Sequence, residues 1–221
     1  MATVAHAVPE TCPVAKMSTL SGRWLLGVFL KYPVPGQVKT RLAGVIGNDA
    51  AAAGYREMAE LVLVRTAAGE AYRRILFITP QERIQDFVRW LPDETFLPQR
   101  GDDLGMRMAD AIGQLLAQGD CAVLIGSDVP DISTAVIMQA FEALMSHDVI
   151  IGPAEDGGYY LIGMKQAHTG LFDGIPWSTP EVLPATLGKI AMLGLSYALL
   201  PELADIDTIE DYQKWQARSR K

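Results

Sequence analysis

Cysteine, histidine, positive charge and long apolar runs are all scarce in this sequence. Its 221 residues include two cysteines, Cys12 and Cys121, and three histidines, His6, His147 and His168. Two distant cysteines make neither a disulfide framework nor a thiolate metal cluster, which fits a reducing cytoplasm. None of the histidines has metal-ligand spacing or adjoins a nucleophile, and Gly-x-Ser-x-Gly is absent, so acyl-transfer hydrolysis has no support. No run reaches the roughly 18 apolar residues of a membrane span. Lys and Arg number 19 against 26 Asp and Glu, a net charge of −7. That excludes bulk nucleic-acid binding and leaves phosphate recognition to a local basic cluster. Residues 1–22 lack a charged start followed by an apolar block, so they read as a loose tail rather than a signal peptide. Met17 is an alternative start within it. No repeat or linker interrupts the remainder, and 23–221 is read as one domain.

Against these gaps stands an ordinary globular composition, 49% hydrophobic and 20% charged. Short apolar runs bounded by Gly and Pro predict strands at 24–30, 75–78, 95–97, 122–125, 149–151, 159–164 and 196–200. Helical spacing predicts helices at 48–68 (capped by Asn48 or Asp49), 82–90, 103–118, 133–146 (capped by Ser133), 180–193 and 208–218. Thr208 and Asp211 form a capping-box pattern with Asp in place of Glu. Strand and helix alternate as far as Ser146, which implies an α/β fold, a mostly parallel sheet with helices on both faces. An Asp156-Gly157-Gly158 turn then joins two strands, so the sheet becomes mixed with an antiparallel element late in the chain.

In open α/β sheets ligands bind beyond the carboxyl ends of the strands, and several polar segments fall there. Lys31 to Arg41 follows the first strand. Pro33 and Pro35 stiffen it and Gly36 permits an unusual backbone angle. Lys31, Lys39 and Arg41 supply cations suited to polyphosphate, although the spacing is not that of a Walker loop. Gly126-Ser127-Asp128-Val129-Pro130-Asp131 follows the strand at 122–125. Asp128 is placed to hold a divalent metal, whereas Asp131 is read as a cap. Glu155 and Asp156 flank a Gly-Gly turn and can meet an acceptor or a metal. Tyr159 and Tyr160 point to opposite faces, so one belongs to the core. Asp205 and Asp207 point the same way if extended, and either can be a second metal ligand or decorate a helix start. Gln99 to Arg107 is a Gly-containing loop entering a helix, a base or phosphate contact. Trp177-Ser178-Thr179-Pro180 forms a substrate lip or packs into the core.

As an ordered set these residues resemble a known family. They are Lys31-x-Pro33-x-Pro35-Gly36-x-x-Lys39-Thr40-Arg41-Leu42, Gln99-x-Gly101-x-Asp103-Leu104-Gly105-x-Arg107-Met108, Gly126-Ser127-Asp128-x-Pro130, Asp156-Gly157-Gly158-Tyr159-Tyr160-Leu161-Ile162-Gly163, Pro176-Trp177-Ser178-Thr179, and Asp205-Ile206-Asp207-Thr208-x-Glu210-Asp211. The chain is similar to bacterial nucleotide-diphospho-sugar transferase-like proteins with the glycosyltransferase-A fold. It is more distantly similar to the molybdenum cofactor and phospholactate guanylyltransferases. The resemblance implies that Lys39 and Arg41 hold a nucleotide's phosphates, with Lys31, Pro35, Gly36, Thr40 and Ser127 around them. It implies Mg²⁺ (or Mn²⁺) on Asp128 and Asp207, a base pocket at Gln99 and Gly105, and an acceptor at Asp156, Gly157, Gly158, Tyr159 and Trp177. Lys39, Arg41 and Asp128 are the catalytic candidates. The Gly-Gly-x-Gly-x-Arg opening of sugar nucleotidylyltransferases is absent. So is the Asp-x-Asp of metal-dependent glycosyltransferases, where Ser127-Asp128-Val129 supplies one carboxylate.

The expected protein is a cytoplasmic Mg²⁺-dependent transferase with a nucleotide donor and a small-molecule acceptor. Neither nucleic acid nor a membrane is among its expected partners, and a homodimer is compatible with the sequence. Nucleotidyl transfer from an NTP, sugar transfer from a nucleotide-diphospho-sugar, and nucleotide binding without catalysis are the three readings left standing.

Overall fold

Trp24–Lys31 forms β1, and its period-two pattern divides the molecule into two cores. Trp24, Leu26, Val28 and Leu30 enter one cluster, while Leu25 enters the other. Cys121–Ile125, β4, divides in the same way: Cys121, Val123 and Ile125 face one side, Ala122 and Leu124 the other. Both strands are thus apolar on both faces, as strands buried between helices must be. This computed structural model describes residues 23–67 and 69–219. The expected tail, Cys12, His6 and Met17 lie outside the described residues.

The other strands are β2 (Arg73–Thr79), β3 (Phe96–Pro98), β5 (Val149–Pro153), β6 (Tyr159–Met164) and β7 (Tyr197–Leu199). All seven join one sheet in the order β3-β2-β1-β4-β6-β5-β7. Only β6 runs against the rest, pairing antiparallel with both β4 and β5. The expected parallel half and late antiparallel element are therefore present. The helices are α1 (Thr40–Ile46), α2 (Asn48–Arg65), α3 (Ile84–Trp90), α4 (Leu104–Leu116), α5 (Thr134–Ala143), α6 (Val182–Met192) and α7 (Ile209–Ser219). Helices α2, α3, α5 and α7 pack on the first core through Met58, Phe87, Phe141 and Trp215. Helices α4 and α6 close the second through Ile112 and Ile190. Gly27 permits the close approach of α4, since a Cβ there would lie 2.9 Å from Leu115 and 2.8 Å from Leu124. Among the described residues no helix is long and apolar enough to cross a membrane.

Three local expectations are corrected. The basic segment is not all loop, because its last two residues begin α1. Gly47, not Asn48 or Asp49, stands between α1 and α2. Its φ of +87° suits glycine, and its N–H donates to the Ala43 carbonyl at 2.9 Å, which ends α1. Asp131 does not cap α5; it pairs with Arg65 and Arg218. The Ser133 cap is present, its hydroxyl accepting from Val136 N–H at 3.4 Å. So is the box before α7, where the Asp211 carboxylate accepts from Thr208 N–H at 3.0 Å and Asp211 N–H donates to the Thr208 hydroxyl at 3.2 Å.

Candidate functional site

The site is assembled from three chain segments at the carboxyl ends of β1 and β4. After β1 the chain turns through Pro33 and Pro35 and reaches Lys39, whose backbone is left-handed (φ 43°, ψ 50°). For a residue with a Cβ that conformation costs about 1–2 kcal/mol. It places the Lys39 side chain inward, only 6% exposed. Lys39 Nζ donates to Asp207 Oδ1 at 2.7 Å and to Asp128 Oδ2 at 3.3 Å. Asp128 follows β4. Asp207 lies in the segment between β7 and α7, which Ile206 ties to Asp128 by donating its N–H to the Asp128 carbonyl at 3.2 Å. Burial alone would depress the Lys39 ammonium. The Asp128 and Asp207 carboxylates outweigh it and hold the pKa above the ordinary lysine range. Arg41, 74% exposed, reaches Asp207 Oδ2 at 3.5 Å from the solvent side.

Asp207 is thus the member of the Asp205/Asp207 pair that faces Asp128 across the ammonium. Asp205 lines the same cavity, half-buried. Burial first, and then the charges of Asp156, Asp207 and Asp128, push its carboxyl up to about 6. Four carboxylates (Asp128, Asp156, Asp205 and Asp207) and four cations (Lys31, Lys39, Arg41 and Arg107) therefore line one cavity.

The cavity has a volume of about 850 Å³. Lys31, Lys39, Thr40, Arg41, Gln99, Ser127, Asp128, Asp156, Gly158, Tyr159, Trp177 and Asp207 all line it. Pro35, Gly36, Gly105 and Gly157 lie outside the lining, and two of these glycines shape its wall. A Cβ on Gly105 would lie 2.8 Å from Trp177 Nε1, so this glycine seats the indole. Trp177 in turn meets Tyr159 edge-on, with ring centroids 6.4 Å apart. Gly157, at φ +88°, packs against Pro180, whose carbonyl oxygen would lie 2.5 Å from a Cβ. Its own carbonyl accepts from Leu183 N–H at 2.9 Å. Asp156 Oδ1 accepts from Gly158 N–H at 2.8 Å, which fixes the turn. Of the tyrosine pair, Tyr160 is the core member and its hydroxyl donates to the Pro201 carbonyl at 2.9 Å. Gln99 is anchored by donating to the Phe77 carbonyl at 2.8 Å.

Tyr55 is a polar cavity-lining residue that sequence reasoning missed. It projects from α2 to the cavity floor, where its hydroxyl accepts from Lys31 N–H at 2.9 Å and shares a 2.8 Å hydrogen bond with Ser127 Oγ. Burial pushes its phenol up to about 12. In the sequence Tyr55 shares the apolar face of α2 with Met58 and Val62, so it reads as core, and nothing local marks its hydroxyl.

Sheet order and cavity position together define the nucleotide-diphospho-sugar transferase fold of the glycosyltransferase-A type. The chain belongs to the family of uncharacterized proteins conserved in bacteria designated DUF2064, whose model matches residues 62–179. It is similar to a Desulfovibrio desulfuricans G20 protein, provisionally named a nucleotide-diphospho-sugar transferase, with 37% identity over 90% of this chain and 87% of that one and a TM-score of 0.82. Two more distant structures share the fold. One is CMP:2-keto-3-deoxy-manno-octonic acid synthetase complexed with CTP, 13% identical over 90% of this chain and 98% of that one, TM-score 0.58. The other is Rv0371c of Mycobacterium tuberculosis H37Rv in complex with manganese, 14% identical over 86% of this chain and 96% of that one, TM-score 0.52. No curated protein sequence matches the chain.

Proposed function

We propose that this chain is a metal-dependent nucleotidyltransferase that uses a nucleoside triphosphate and a small-molecule acceptor. One observation carries the reading: Asp128 and Asp207, from segments far apart in sequence, converge on a single cationic point now held by Lys39 Nζ at 3.3 and 2.7 Å. Two carboxylates facing one cation position, with Asp205 nearby, are the hard oxygen donors that Mg²⁺ or Mn²⁺ takes. The donor set fits such an ion. When bound there, it would neutralise charge on a polyphosphate. The fold relatives bound to CTP and to manganese agree with this reading.

The protein groups supply the rest by position and charge. Lys39 and Arg41 offset negative charge developing on the departing phosphates, Lys39 as a flexible point charge and Arg41 from the rim. Tyr55 and Ser127 hold the ends of β1 and β4 in register, which keeps Lys39 opposite Asp128. The wall formed by Asp156, Gly158, Tyr159 and Trp177 orients the acceptor, and bringing two reactants together in this way removes much of the entropic barrier. Neither a covalent intermediate nor a protein nucleophile is required. A sugar-nucleotide donor is the second reading, favoured by the name of the 37% identical structure.

A thermal-shift screen of nucleoside triphosphates and nucleotide sugars, with and without Mg²⁺, separates the two. A triphosphate at a hundred times its Kd should stabilise the chain by about 2.7 kcal/mol, with Mg²⁺ required. Asp207→Asn should remove the Mg²⁺-dependent part and lower turnover by about 10²–10³. Stabilisation by nucleotide sugars alone would transfer the conclusion to the second reading. Full Mg²⁺-dependent binding in Asp128→Ala would refute the metal assignment.

A further inference from the structure

We infer that Lys39 guards the metal position: its ammonium fills the point between Asp128 and Asp207 and yields it only to a polyphosphate, so the divalent cation enters as its nucleotide chelate. This rests on the reading of Asp128 and Asp207 as metal ligands. Three observations support it.

First, the ammonium occupies the inner side of the pair. Lys39 is 6% exposed whereas Asp128 and Asp207 are 43% and 38% exposed. A cation arriving from the cavity therefore finds Asp128 Oδ2 and Asp207 Oδ1 already engaged. Entry of a divalent ion beside a retained ammonium would set like charges at contact distance in a half-buried site. Second, the protein alone offers too few ligands. Among the described residues no group of three His, Cys, Asp or Glu side chains is arranged to hold a metal, while Mg²⁺ and Mn²⁺ take six oxygens and commonly complete the set from phosphate and water. Third, the guard has somewhere to go. Lys39 lines the cavity beside Arg41, and its flexible stem can carry the ammonium to phosphate oxygens without moving the start of α1. Phosphate thus does two things: it draws off the ammonium and completes the coordination. Free metal can complete its shell with water but cannot draw off the ammonium, so Lys39 selects the donor in its chelated form.

The test is Mn²⁺ binding followed by electron paramagnetic resonance at fixed neutral pH, with no nucleotide and then with a non-hydrolysable triphosphate. Wild type should bind free Mn²⁺ weakly and tighten sharply with the triphosphate. Lys39→Met should bind free Mn²⁺ at least about tenfold more tightly than wild type, because the competing ammonium is gone. Arg41→Met should change it by less than about threefold, since that exposed cation is screened. Circular dichroism checks folding, and Lys39→Gln replaces Lys39→Met if the latter fails to fold. Equal free-Mn²⁺ affinity in wild type and the Lys39 variant would overturn the guard while leaving the metal ligands standing. So would an Arg41→Met gain as large as that of Lys39→Met, which would indicate general charge rather than occupancy. If Lys39→Met/Asp207→Asn keeps the Mn²⁺ affinity of Lys39→Met, the metal assignment itself fails, and the guard with it.

Discussion

The cavity has two sides built on different physics. One is charged: Lys39 held between Asp128 and Asp207, with Asp205 and Arg41 around them. The other is a packed wall in which Trp177 lies on Gly105, Tyr159 meets Trp177 edge-on, and Gly157 presses on Pro180. The charged side is held by side-chain ion pairs that centre on the flexible stem of Lys39. The wall is held by backbone contacts too close for a single added methyl. Adaptable electrostatics suits a donor that brings its own charge, whereas fixed geometry suits an acceptor that must be aimed.

The largest expected effect breaks the wall. Gly157→Ala combines a left-handed backbone at φ +88° with a Cβ 2.5 Å from the Pro180 carbonyl oxygen, which belongs to the backbone and cannot swing aside. A loss of about 2–4 kcal/mol is expected from urea denaturation. A loss below about 0.5 kcal/mol would show that the wall yields like the charged side. Tyr55→Phe comes next and strikes the joint beneath the charged side. It strips Lys31 N–H of its acceptor and Ser127 Oγ of its partner in a buried place. About 1–2 kcal/mol of stability should go, together with weaker triphosphate binding in a thermal-shift titration. Unchanged nucleotide affinity would confine Tyr55 to a structural role.

The smallest effect tests the crowding of carboxylates. Asp205 titrates at about 6 in the folded chain, against about 3.9 when unfolded. The folded state therefore binds the extra proton. The stability this lends is complete below the unfolded value and is lost as pH rises through about 6. In metal-free buffer, wild type should thus lose stability relative to Asp205→Asn between about pH 4 and pH 6. The slope should fall well short of the roughly 1.4 kcal/mol per pH unit of a fully buried group, because solvent screens a half-buried carboxylate. Urea midpoints across that range measure it, and parallel curves for the two proteins would dismiss the crowding.

Much of the frame was legible because its signals are local. The apolar runs at β1, β2 and β4 and the turn at Asp156-Gly157-Gly158 lie in contiguous residues. So do the Ser133 cap and the Thr208–Asp211 box. The helix α1 was not legible at all. Thr40–Ile46 is short and ends on Gly47, and its neighbour α2 carries the stronger periodic pattern. The site was legible as a set of strand-end residues but not as a set of contacts. Lys39 and Arg41 look alike in sequence, yet one is 6% exposed and the other 74%. Gly105 reads as a binding-loop glycine, and only the seat of Trp177 shows why a side chain cannot stand there.

By itself, then, the sequence determined the alternation of strand and helix, the late reversal, and which strand ends carry polar residues. Each depends on residues close along the chain, where hydrophobic period and turn chemistry act. Only the tertiary structure decided that Asp128 and Asp207, 79 positions apart by their numbers, share one ammonium. It also decided that Asp207 rather than Asp205 faces Lys39, and that Tyr55 joins two strands. Those outcomes depend on sheet order and on the path of the segment before α7, and electrostatic partnership follows distance in space, which chain order does not encode.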